Sequence, residues 1–184
     1  MPIEIEKKFR LTKKQRESAL KRLPEIGATF EREEFEENTL YSGGVLDVGK
    51  CALRLRRVGD SAILTYKERF SSTSSIKQQR EDETQIADAD AMADILEALG
   101  FTPTLVYEKR RATWRLGQAE IVIDELPFGL FMEIEASEAE IRAVEKQLAI
   151  KGLQAVHETY AQMTLIHGEE SGPRVEARFR ESSK

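Results

Sequence analysis

The feature that most constrains this chain is a two-residue rhythm of like charges. In IEIEKKF the residues Glu4, Glu6 and Lys8 stand two apart, with Ile3, Ile5 and Phe9 at the alternate positions. In an extended strand alternate side chains take opposite faces, so residues i and i+2 share a side, roughly 6.5 Å apart. The rhythm returns along the chain. Arg54 and Arg56 oppose Leu53 and Leu55, Glu81 pairs with Glu83, and Lys109 pairs with Arg111. Asp124 opposes Ile121 and Ile123, Glu133 and Glu135 oppose Met132 and Ile134, and Lys67 closes the strand-like run AILTYK.

For a single strand, a solvated outer face explains such alternation well. Like charges repeated on strand after strand are a different matter, because neighbours of one sign repel and a face built for stability mixes signs. If the strands curl so that their charged faces meet, they enclose an interior of both signs. Carboxylates there are hard oxygen donors suited to Mg²⁺ or Mn²⁺, and the lysines and arginines can clamp a polyanion. Buried charge is costly unless it is paired or wet, so the expected interior is a water-filled cavity.

Eight segments read as strands: IEIEKKFR, TFEREEFEENTLY, CALRLRRV, SAILTYKE, QREDETQI, LVYEKRRATW, AEIVIDEL and LFMEIEA. Gly59-Asp60 and Pro127–Gly129 mark turns between them. Three helices are expected. One begins at Thr12 as N-cap and ends at Pro24. A second, from about Asp90 to Leu99, carries Met92, Ile95, Leu96 and Leu99 at helical spacing before Gly100. A third opens with the capping box Ser137–Glu140, presents Ile141, Val144 and Leu148, and closes at Gly152. A fourth, short helix spans about Tyr160 to Ile166. The result is an α+β domain with a large, mainly antiparallel sheet.

At 184 residues one domain is expected, and 33% charged residues exceed the globular average. A net charge of −5 argues against a general nucleic-acid binder. Without an apolar leader or a membrane-length apolar run, the chain reads as cytoplasmic and free of membranes. The lone cysteine, Cys51, reads as structural, and His157 and His167 are too isolated for a metal site or triad. The SSTSS run at Ser71–Ser75 reads as a mobile loop. Residues 168–184, rich in Gly, Pro and charge, read as a poorly ordered tail after a domain at 1–167.

Taken in order, these motifs resemble the CYTH domain family, the triphosphate tunnel metalloenzymes. The E-x-E-x-K at Glu4, Glu6 and Lys8 matches the family's N-terminal signature. The R-x-R at 54 and 56, Lys67, the E-x-E at 81 and 83, the K-x-R at 109 and 111, Asp124, and the E-x-E at 133 and 135 follow. The resemblance implies an eight-stranded antiparallel closed barrel, the triphosphate tunnel, with helices packed outside. It also implies a small triphosphate as substrate and a divalent cation as cofactor. Glu4, Glu6, Glu81, Glu83, Asp124, Glu133 and Glu135 are then the expected metal ligands. Lys8, Arg54, Arg56, Lys67, Lys109 and Arg111 are the expected phosphate ligands, with Lys8 also catalytic because it lies beside the acids. Gln79, followed by Arg80, stands where many members carry arginine.

The expected reaction is metal-dependent hydrolysis of inorganic triphosphate or a small organic triphosphate such as thiamine triphosphate. A class IV adenylyl cyclase acting on ATP is the alternative enzyme, and a noncatalytic polyphosphate or nucleotide module the alternative of another class. Tyr41, Tyr66 and Tyr107 are the candidates for stacking on a base, although packing is the default for each. Trp114 reads as ordinary strand packing, and Tyr160 falls where family members often carry a tyrosine.

Overall fold

The computed structural model describes residues 3–70 and 76–180. Its first half runs β1 (Ile3–Leu11), α1 (Lys13–Glu25), β2 (Thr29–Gly43), β3 (Cys51–Val58), β4 (Ser61–Arg69), β5 (Lys77–Ile86) and α2 (Ala89–Ala98). Three strands, β6 (Phe101–Leu116), β7 (Ala119–Leu126) and β8 (Gly129–Glu135), precede α3 (Glu138–Leu148). The chain ends through β9 (Gln154–Ala155), α4 (Tyr160–His167), β10 (Glu169–Ser171) and β11 (Arg174–Ala177). The Ser71–Ser75 run lies outside the described residues.

Strands β1 to β8 form a closed antiparallel barrel in the order β6-β2-β3-β4-β5-β1-β8-β7, with β7 returning to β6. Closure leaves every one of these strands paired on both sides, so the sheet needs no protected outer edge there. The apolar halves of the alternating patterns face outward and are covered by helices. Phe9, Ile121, Ile123, Met132 and Ile134 pack with Ala19 and Leu23 of α1 and Ile141, Val144 and Leu148 of α3. Leu96 and Met92 of α2 pack with Tyr41, Leu55 and Ala62. Helix α4 differs: its Tyr160 and Met163 pack with Tyr107, Leu126 and Phe131, which share the inward parity of Lys109, Asp124 and Glu133.

Capping explains where the helices begin. Thr12, Ser137 and Thr159 each accept from the backbone N–H three residues on, and Gln15, Glu140 and Gln162 return the contact. The ends differ from the sequence expectation. Helix α1 runs one residue past Pro24, whose ring is tolerated in the final turn. Helix α3 stops at Leu148, because Ala149 itself takes the left-handed conformation, φ 51°, ahead of Gly152. On α2, Ile95 and Leu99 remain exposed while Leu96 is buried.

The expected disorder from residue 168 is corrected for the described part of that segment. Strands β10 and β11 form a hairpin, and Val175–Ala177 pair in parallel with Leu105–Tyr107. The reason is a mismatch of length: β6 has 16 residues, whereas β7 covers only Arg110–Leu116 of it. Strand β11 satisfies part of the edge left over. Gly168 allows the close approach, since a Cβ there would sit 2.6 Å from Thr164 O and 2.8 Å from Glu176 O. No helix among the described residues is long and apolar enough to cross a membrane.

Candidate active site

Register turns the two-residue rhythm into a lined tunnel. On β1, Glu6 faces Glu135 of β8 and Lys77 of β5, while Lys8 faces Glu133. Glu4 faces Gln79, Lys67 faces Glu81, and Arg111 faces Asp124. On the opposite wall Glu36 faces Lys109, and Asn38 lies between Tyr107 and Arg56. Because these pairs share a parity on every strand, closing the barrel points them all inward.

Contacts divide the interior into two sides. On the basic side, Arg111 Nε and Nη2 donate to the two oxygens of Asp124 at 2.8 and 2.7 Å, and Nη2 also donates to Glu133 at 2.8 Å. Lys109 Nζ lies 3.2 Å from Glu36 and 3.5 Å from Asp124, and Lys8 Nζ lies 3.1 Å from Glu133. Arg54 and Arg56 converge on Glu83 Oε1 at 3.4 and 3.1 Å, and Thr65 Oγ1 donates to the same oxygen at 2.7 Å. Tyr160 closes this side, its hydroxyl donating to Asp124 at 2.9 Å and its ring lying 3.8 Å beneath Lys8 Nζ.

On the acidic side stand Glu4, Glu6, Glu81 and Glu135. Lys67 bridges Glu4 and Glu81, and Gln79 Nε2 donates to Glu4 at 3.0 Å. Burial, together with a hydrogen bond to Glu4, pushes the Glu81 carboxyl up to about 9. Glu135 is pushed up to about 7 by the partial enclosure of its carboxyl and by Glu4 and Glu120. On the basic side the balance reverses. Burial opposes ionisation of Glu36 and Glu133, but Lys109 with Arg111 for the first, and Lys8 with Arg111 for the second, hold both well below the usual carboxylate range. Glu81 and Glu135, which resist losing a proton, stand with Glu4 and Glu6 as a hard-oxygen set whose crowding a divalent cation would relieve. No three His, Cys, Asp or Glu side chains among the described residues converge as a ready-made coordination sphere. Their chemistry fits Mg²⁺ or Mn²⁺, and their positions leave the last adjustment to the ligand.

Arg80 does not substitute for Gln79. The β4–β5 and β1–β5 ladders run without a bulge through this stretch. Arg80 is therefore on the outer face, with Nε donating to Asp82 at 2.6 Å and its guanidinium over Tyr66. None of the aromatic candidates is free inside the tunnel. Tyr66 pairs with Cys51 on the outer face, Tyr41 packs with α2, and Tyr107 is buried against Tyr160. Trp114 packs against Phe30 at 5.2 Å, as ordinary strand packing.

Glu36, Asn38, Thr65 and Lys77 complete the lining and escaped the sequence reading. The run from Glu31 to Glu37 carries charge at both parities, which hides the inward pair Glu36 and Asn38. Thr65 has no charge to mark it.

A CYTH domain model matches residues 2–162. A Methanocaldococcus jannaschii protein named "Putative adenylate cyclase MJ0240" is 29% identical over 150 residues, covering 79% of this chain and 83% of its own. The PH1819 protein of Pyrococcus horikoshii superposes with a TM-score of 0.71 at 27% identity, over 89% of this chain and 98% of its own. The fold is shared also by a Hippeastrum protein described as a "putative adenylyl cyclase" with a dominant triphosphatase activity. That match has a TM-score of 0.65 at 18% identity, over 85% and 92% of the two chains.

Proposed function

This chain belongs to the CYTH domain family, and from that premise we propose that it is a divalent-cation-dependent triphosphatase whose best-fitting substrate is inorganic triphosphate. The observation that carries this reading is the two-sided tunnel with no free aromatic ring. The basic side matches a phosphate chain, the acidic side matches the cation that travels with it, and Tyr41, Tyr66 and Tyr107 are all engaged elsewhere. Nothing in the described lining offers a platform for a base.

In this reading Arg54, Arg56, Lys109 and Arg111 hold the phosphate chain, exchanging part of their contact with Glu83, Glu36 and Asp124 for contact with phosphoryl oxygens. The acids Glu83, Asp124 and Glu133 keep those cations aimed into the tunnel. Glu4, Glu6, Glu81 and Glu135 are the groups that would hold Mg²⁺ or Mn²⁺, which supplies neutralisation of nonbridging oxygens and a more acidic water. Lys8, held between Glu133 and the Tyr160 ring, would contact the phosphoryl group under attack. The water oxygen forms the new P–O bond as the bridging P–O bond breaks, and the bridging oxygen leaves with the diphosphate. Arg and Lys around it stabilise the charge that develops there.

The competing enzyme reading, cyclisation of ATP, draws on the names of relatives. The deciding experiment offers purified protein tripolyphosphate, thiamine triphosphate and ATP with each metal, and measures phosphate, pyrophosphate and cyclic AMP. Phosphate release from tripolyphosphate is the expected outcome, and dominant cyclic AMP overturns the hydrolase reading. Tight polyphosphate binding in EDTA without any metal-stimulated turnover would mark a binding module instead.

A further inference from the structure

Nearly every cation lining the tunnel is already spoken for by a short contact to a carboxylate. Lys77, the first residue of β5, is different. It faces Glu6 across the β1–β5 ladder, and its only carboxylate contact among the described residues is that residue's Oε1 at 3.6 Å. Its ammonium is buried yet has no hydrogen-bond partner, the one lysine among the described residues for which this holds. An ammonium carries three donors, and leaving them unmade away from water is costly. Lys8, two residues on from Glu6 along the same face of β1, has Glu133 at 3.1 Å and donates to Glu158 O at 3.3 Å, so the unmet donors are those of Lys77.

We propose that Lys77 is a direct ligand of the phosphate chain, and that an anionic phosphoryl group seated between it and Lys8 takes up the donors for which the protein offers Lys77 no acceptor. This deepens the triphosphatase reading and rests on it. The ligand class is a phosphoanhydride chain, because a group bridging two ammonium ions needs several acceptor oxygens on one centre. Lysine binds phosphate as a point charge and tolerates the modest geometry available at a strand end. Gln79, two residues on along the same face, is committed to Glu4 and supplies no charge of its own. Lys77 therefore carries the recognition that β5 contributes.

The test compares wild type, Lys77→Met and Lys77→Arg by titration calorimetry with tripolyphosphate in EDTA, alongside the melting temperature of each empty protein. Loss of a hydrogen bond to a charged group, about 1.5–3 kcal/mol, corresponds to a roughly 10- to 100-fold weaker Kd for Lys77→Met. Lys77→Arg should retain most of the affinity. The empty Lys77→Met protein should melt no lower than wild type, because the substitution removes an unsatisfied buried donor. A lower melting temperature or failure to fold in Lys77→Met, restored in Lys77→Arg, would make Lys77 a structural counter-ion of Glu6 and overturn the proposal. Equal tripolyphosphate affinity in wild type and Lys77→Met overturns it while leaving the triphosphatase reading intact. A wild type that binds no tripolyphosphate in EDTA overturns the proposal, and one that also binds none with Mg²⁺ sinks both.

Discussion

Asp124 has no exposed surface and meets Arg111, Lys109 and Tyr160 at once, so its charge is held by three partners rather than offered to solvent. Asp124→Asn should leave two buried cations short of a counter-charge and cost about 3–5 kcal/mol of stability, read by urea denaturation; an unchanged midpoint would show that the triad is not structural. Glu4 and Glu6 belong to the other side, and Glu4→Gln with Glu6→Gln should abolish metal-stimulated turnover, whereas Arg54→Ala should chiefly raise KM. Full activity in the double glutamine variant contradicts the metal assignment. Glu81 adds a pH dependence. Its folded carboxyl binds its proton up to about 9, far above an ordinary carboxylate, so the folded state holds more protons than the unfolded chain between these values. The stability it contributes is complete below the ordinary carboxylate range and is lost as pH rises through 9. Cations compete with that proton, so Mg²⁺ affinity should increase with pH over the same window. Calorimetry in two buffers of different ionisation enthalpy would detect the released proton, and its absence would separate Glu81 from the cation site. The alternation revealed which of these residues share a face, but not which acids would be tied to which cations. Those partners come from strands far apart in the chain.

At the scale of elements, the helices were legible because caps are local. Ser137 and Glu140 announce α3 within four residues, and Ser137→Ala should cost about 1 kcal/mol, visible as a shifted thermal midpoint. The C-terminal hairpin was not legible, since its composition resembles that of a disordered tail. Only the excess length of β6 over β7 creates the edge that β11 occupies. Arg178 then fastens the segment to the barrel through Glu37 and Glu108, while Glu176 of β11 holds its guanidinium from the hairpin side. Truncation after Gly168 should lower stability and promote association by exposing that edge. Light scattering and urea denaturation would show it, and a monodisperse product of wild-type stability would mean the hairpin is only an appendage. Salt bridges at the surface contribute little by themselves, so the pairing of Val175–Ala177 with β6 and the burial of Ala177 are the larger part.

For the whole molecule, the barrel keeps acids and bases in one enclosed space, and folding is coupled to whatever fills it. Tripolyphosphate with Mg²⁺ at about 100 times its Kd should stabilise the fold by about 2.7 kcal/mol, and a melting temperature insensitive to the pair would argue against a tunnel ligand. The sequence by itself determined the strand faces, the caps and the two classes of charge, because period-two alternation and capping are written in residues close along the chain. The tertiary structure alone decided that Glu36 and Asn38 join the lining and that Arg80 turns outward. It also decided that Tyr41 and Tyr66 serve the outer wall, that Gly168 makes room for a docked hairpin, and that the Lys77 ammonium has Glu6 nearby but no hydrogen-bond partner. These outcomes depend on register between distant strands and on which wall each helix covers. A one-residue shift in either ladder of β5 would exchange Lys77 and Gln79 for Gln78 and Arg80, and only the closed set of pairings fixes that choice.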